Sequence, residues 1–138
     1  MTDMTLTLRK DFVCSALHGE SGAELNAAAA KEHGGPGDRF SPTDLLAVSL
    51  GTCVMTVLAI VAKRKGLDIT GSTARVEKEM TTTPPHRVGS IKMTVTLPGE
   101  KRLPVEQRAG LERSAQLCPV KQSLHPAITI TMDFLYEE

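Results

Sequence analysis

The chain has 138 residues, 41% of them hydrophobic, which suits one domain with a core of its own. Only 3% are aromatic, with no tryptophan and a single tyrosine, so that core has to be aliphatic. Sixteen basic residues balance sixteen acidic ones, leaving no net field to attract nucleic acid or an anionic lipid surface.

The N-terminus, MTDMTLTLRKDF, lacks a basic segment followed by an apolar one, so a secretory signal is not expected and a cytoplasmic location is. Residues 4–17 alternate loosely through Leu6, Leu8, Phe12 and Val13, as one or two strands would. HGESG at 18–22 signals a turn, and the stretch at 23–30 fits a strand or a helix. HGGPGDRFSP, residues 33–42, is too rich in glycine and proline to be anything but a loop.

SPTD, residues 41–44, then opens a helix. Ser41 suits the N-cap, Pro42 the first helical position and Asp44 the third, an Asp version of the capping box. Lys63, Arg64 and Lys65 suit the negative end of the helix dipole, and Gly66 suits the residue just past it. Between these ends, residues 45–62 carry no charge. That length falls at the lower edge of the roughly 17–25 residues of a membrane-spanning helix. Ser49, Gly51, Thr52 and Thr56 dilute it, however, and the rest of the chain alternates like soluble strands, so a helix buried in protein is expected. A helix apolar on every side needs cover on every side. A few short strands and one further helix struggle to supply that, and a homodimer sharing these helices is the simplest solution.

LDITGSTARVEKEMTTT (67–83) alternates as a strand and ends in a loop at 81–85. HRVGSIKMTVTLPG (86–99) alternates through Val88, Ile91, Met93, Val95 and Leu97, with Pro98 and Gly99 at the turn. LPVEQRAGLERSAQLC (103–118) sets Val105, Ala109, Leu111, Ala115 and Leu117 near helical spacing, and Pro119 opposes continuing that helix. VKQSLHP allows one further turn, and AITITMDFLY (127–136) is a terminal strand. Strands, a long helix, strands, a second helix and a strand make an α+β protein.

Three cysteines, Cys14, Cys53 and Cys118, are an odd number for a reducing compartment, so any disulfide among them would be transient and chemical. Cys14 falls on a predicted strand as a core or face residue. Cys53 lies about three turns into the long helix, or nearer an N-terminus if Gly51 and Thr52 interrupt it. Cys118 ends one helix and precedes Pro119, a residue favoured at the start of another. A thiol at a helix N-terminus has its reactive thiolate stabilised by unpaired N–H groups. Burial as small hydrophobes accounts for both cysteines equally well. His86 and His125 stand beside prolines, without partners at metal-ligand spacing, and no metal is expected. There is no phosphate-binding glycine loop and no Gly-x-Ser-x-Gly elbow.

SPTDLLAVSLGTCVMTVL, with Cys53 inside it, and LERSAQLCPV, with Cys118 sixty-five residues further on, together resemble the OsmC/Ohr family of osmotically induced and organic hydroperoxide resistance proteins. The resemblance extends to the length of the chain and its order of elements. It implies an α+β homodimer of OsmC-like domains, antiparallel sheets packed around long central apolar helices, with the two chains intertwined and each active site drawing on both. It implies reduction of hydroperoxides, organic ones above all, with Cys53 and Cys118 as the catalytic pair. An external dithiol, of lipoyl or thioredoxin type, serves as reductant, with no bound cofactor and no metal, nucleic acid or membrane partner. In the organic-hydroperoxide branch a Glu follows the Pro of the helix-opening motif and holds a catalytic Arg. Here Thr43 follows Pro42, and the carboxylate comes one place later as Asp44, a capping residue or a displaced equivalent. The family's Arg comes from the first hairpin, where this chain has His18 and Gly19. Arg39, in the loop before the helix, and a protonated His18 are the candidates to support a thiolate, against plain loop and turn roles. The pattern is that of a divergent OsmC-like member. The contrasting expectation is a non-catalytic OsmC-like dimer that binds a small hydrophobic ligand or senses redox state.

Overall fold

Alternating threonine and leucine near the N-terminus form strand β1 (Met4–Leu8), which pairs antiparallel with β2 (Val13–His18). That strand pairs in turn with β3 (Glu24–Ala28), so the stretch at 23–30 is a strand. The computed structural model describes residues 1–138, in two units, Met1–Leu46 and Ala47–Glu138. In the first unit the period of two places Met4, Leu6 and Leu8 on one face with Cys14 and Ala16 of β2 and Leu25 and Ala27 of β3. Met4, Leu6, Leu8 and Leu25 of that face are exposed.

The predicted helix start is realised in full. Helix α1 (Pro42–Arg64) begins after Ser41, whose hydroxyl accepts from the Asp44 N–H at 3.1 Å, while the Asp44 carboxylate accepts from the Ser41 N–H at 2.9 Å. Two N–H groups that the helix leaves without backbone partners are thereby satisfied. At the other end Gly66 takes a φ of 74°, donating to the Lys63 carbonyl, while the Leu67 N–H reaches back to the Ala62 carbonyl at 2.9 Å. This is a Schellman closure, and its left-handed residue is the reason for the glycine.

Within one chain α1 is buried along a single stripe, Ala47, Leu50, Gly51, Val54, Leu58 and Ala62, at helical spacing. The helix is long and apolar enough to cross a membrane, yet only 33% of its most apolar window is buried in the chain. Burial on every side, expected from its composition, is therefore not achieved by one chain alone. Val48 and Ile60, 39% and 52% exposed, mark the open face.

The second unit adds strands β4 (Thr73–Met80), β5 (Val88–Pro98) and β6 (Thr129–Glu137), in the order β4-β5-β6. Residues 68–72, read as the start of a strand, form a turn instead, held by the Asp68 carboxylate on the N–H and hydroxyl of Thr70. Ile91, Met93, Val95 and Leu97 point to one face of β5 and are fully buried. The antiparallel expectation holds for β4 and β5, but β5 and β6 run parallel. A parallel pair needs a long crossover, and helices α2 (Val105–Ala115) and α3 (Pro119–Ser123) supply it. Leu103, Leu111, Ala115 and Cys118 from this crossover are buried as well.

Candidate active site

Helix α1 runs without a break through Gly51 and Thr52, so Cys53 sits at mid-helix and not at a helix start. The glycine marks a close approach: a Cβ on Gly51 would lie 3.0 Å from a Val76 methyl of β4. Cys53 is half-buried, while an apolar groove lined by Val48, Thr52, Met55, Thr56, Ala74 and Val76 runs along another face of α1.

Cys118 is the N-cap of α3, and Pro119 holds the first helical position. Its sulfur accepts from the Lys121 N–H at 3.4 Å. The loop carrying it is braced by Gln116, whose carbonyl accepts from the Gln122 amide at 3.1 Å and whose side-chain oxygen accepts from the Lys121 ammonium. Leu117, one residue earlier, is 72% exposed, while Cys118 is wholly buried.

The fold brings the two cysteines together. Cys53 lies near enough to act on the ionisation of Cys118, sixty-five positions away in sequence. Burial pushes the Cys118 thiol above its ordinary value, the Lys121 N–H pulls it back, and the neighbouring Cys53 raises it further.

The supporting residues named from sequence have other occupations. The Asp44 carboxylate is taken up by the cap of α1. Arg39 forms a two-pronged ion pair with Asp38, at 2.7 and 2.9 Å. The Nδ1 of His18 lies 2.7 Å from the Ser21 hydroxyl and accepts from the Ser21 N–H, which makes it a turn residue. Cys14 belongs to the N-terminal sheet, opposite Leu8 and Ala27. The sequence did not single out the N–H group of Lys121 or the brace at Gln116. Their signal was present in Cys118-Pro119, the signature of a capped helix start.

A family model described as OsmC-like protein matches residues 35–133, a span that includes both cysteines. The chain belongs to the OsmC-like family. It is 35% identical to a Psychrobacter arcticus protein described as an osmotic stress induced and detoxification response protein, over 97% of this chain and 96% of that one, with a TM-score of 0.90. An OsmC-like protein of Mycoplasma pneumoniae shares the fold at 18% identity, with a TM-score of 0.78 over 100% of this chain and 98% of that one. So does an organic hydroperoxide resistance protein, OsmC, of Legionella pneumophila, at 16% identity and a TM-score of 0.75, over 98% and 96% of the two chains. Comparison with curated proteins finds no match. OsmC-like membership and the α+β class agree with the expectations drawn from the two cysteine motifs.

Proposed function

We propose that this OsmC-like protein is a thiol-dependent hydroperoxide reductase of oxidative-stress defence, with Cys53 as the peroxidatic and Cys118 as the resolving cysteine. One observation carries this: two thiols distant in sequence meet at the edge of an aliphatic core. Burial as inert hydrophobes asks for no such pairing. Structural likeness to organic hydroperoxide resistance proteins supports the same reading.

In the proposed cycle the Cys53 thiolate attacks the distal oxygen of ROOH; the S–O bond forms, the O–O bond breaks, and the alkoxide leaves and takes a proton from solvent to become the alcohol. Cys118 then attacks the sulfenic sulfur of Cys53, forming a disulfide and releasing hydroxide, which becomes water. A dithiol returns two electrons by exchange through a mixed disulfide, restoring both thiols and leaving with a disulfide of its own. A homodimer is part of the proposal, because a second copy would cover the open face of α1.

Dithiol-dependent consumption of cumene hydroperoxide tests the proposal. Wild-type protein turns over and Cys53→Ser does not. Turnover that survives in Cys53→Ser, or is absent from wild type with both lipoyl and thioredoxin-type dithiols, contradicts the assignment.

A further inference from the structure

We propose that Gln116 is the positioning residue for the resolving cysteine: its side chain clasps the loop that carries Cys118 and thereby sets how fast the disulfide closes. The inference rests on the reductase assignment above and concerns its second step. Cys118 stands between the end of α2 and the start of α3, a helix of five residues with no buried side chain. A helix so short is not held by its own backbone bonds, and no apolar anchor ties it down. Gln116, the C-cap of α2, supplies the ties. Its side-chain oxygen accepts from the Lys121 ammonium, and its carbonyl accepts from the Gln122 amide at 3.1 Å. Its own amide donates to the Met132 sulfur of β6 at 3.7 Å.

Residues 116–122 are thereby closed into a ring, with Cys118 buried on its inner side and Leu117 exposed on its outer side. All three bonds lie at the surface, where a hydrogen bond adds little to the stability of the whole chain. Their effect is on placement. Capture of a sulfenic sulfur by a second thiol is an intramolecular step, and a misplacement of about 1 Å costs such a step on the order of 10²-fold. The steps in competition balance. Cys53–SOH and Cys118–SH give the Cys53–Cys118 disulfide and water. Where closure is slow, Cys53–SOH and a second ROOH give Cys53–SO₂H and ROH, an oxidation that dithiols do not reverse. A clasp that holds Cys118 in place favours the first outcome over the second.

The test is single-turnover oxidation of the reduced protein by cumene hydroperoxide, without dithiol, in wild type, Gln116→Leu, Lys121→Met and Gln116→Glu. Loss of peroxide reports the first step, and peptide mapping of acid-quenched samples reports disulfide closure. Gln116→Leu and Lys121→Met remove one bond from its two ends. Both are expected to consume the first equivalent of peroxide at the wild-type rate, to close the disulfide at least about tenfold more slowly, and to accumulate sulfinic Cys53 when peroxide is in excess. Gln116→Glu keeps an acceptor for the Lys121 ammonium and is expected to close within about twofold of wild type. Closure at the wild-type rate in Gln116→Leu would overturn the proposal. So would equal slowing of both steps, which marks a general loss of packing, or a Gln116→Glu protein as slow as Gln116→Leu. Wild type that leaves Cys53 reduced removes the reductase assignment itself, and is read before any variant.

Discussion

Cys118 lies where the chain leaves one helix and enters the next, and its neighbours explain its position better than its own polarity does. Leu111, Ala115 and Leu103 are fully buried around the same crossover, while Leu117 turns outward. Pro119 and the Lys121 N–H then fix the sulfur. This much was legible in sequence from the Cys-Pro pair and from its separation from Cys53. The partners of Arg39 and His18 were not. Each is claimed by a residue within three positions, Asp38 and Ser21, and side-chain conformation decides between such a local bond and a distant one. Ser41 and Asp44 were legible because a capping box is a local motif, with its geometry set by the helix it starts. Ser41→Ala is expected to cost about 1 kcal/mol of stability, read as a lower midpoint in urea with an unchanged slope. An unaltered midpoint would show that the cap contributes nothing.

At the scale of elements, helix ends were easy to read and strand direction was not. Period-two alternation reports which face of a strand is buried but carries no sign for the direction of its neighbour, so the parallel pairing of β5 with β6 emerged only in the structure. Gly51 and Thr52 resembled a helix break for a related reason. A glycine in a helix signals weakness unless its missing side chain makes room for another element, here Val76 of β4. The terminal strand is tied back to α2 by the Tyr136 hydroxyl, which donates to the Glu112 carboxylate at 2.6 Å, with Arg108 4.2 Å over the ring. Burial and the Glu112 carboxylate push the Tyr136 phenol well above its ordinary value of 10.0, and Cys118 is raised above 9.0. Groups raised on folding contribute stability that is fully present below their unfolded values and is lost as pH rises past them. Thermal stability is therefore expected to fall from about pH 9 upward as the unfolded chain ionises at both positions. Tyr136→Phe should be less stable by about 1 kcal/mol at pH 7, through loss of the hydrogen bond, and should decline less steeply above pH 10. Melting curves from pH 7 to pH 11 check both parts, and parallel declines in the two proteins would remove Tyr136 as the cause.

At the scale of the whole molecule, apolar side chains remain open in each unit: Met4, Leu6, Leu8 and Leu25 in the first, Val48 and Ile60 in the second. The composition of residues 45–62 already implied a demand for cover beyond what one chain of this length supplies. Light scattering coupled to size exclusion is expected to give twice the mass of the chain, and Ile60→Glu, which places a charge on the open face of α1, is expected to shift the population toward monomer. A monomeric wild type at micromolar concentration would leave that face without the proposed second copy. The same composition, with few aromatics, leaves a core that is almost wholly aliphatic and thioether.

The most direct measurement is peptide mapping by mass spectrometry after fully reduced protein meets one equivalent of cumene hydroperoxide, with excess iodoacetamide added at the end. The account predicts a single cross-linked product joining the peptides of Cys53 and Cys118, with Cys14 alkylated, and the loss of one peroxide for each disulfide formed. Peroxide that persists while all three cysteines are alkylated, or a disulfide that joins Cys14 to either of the others, contradicts it.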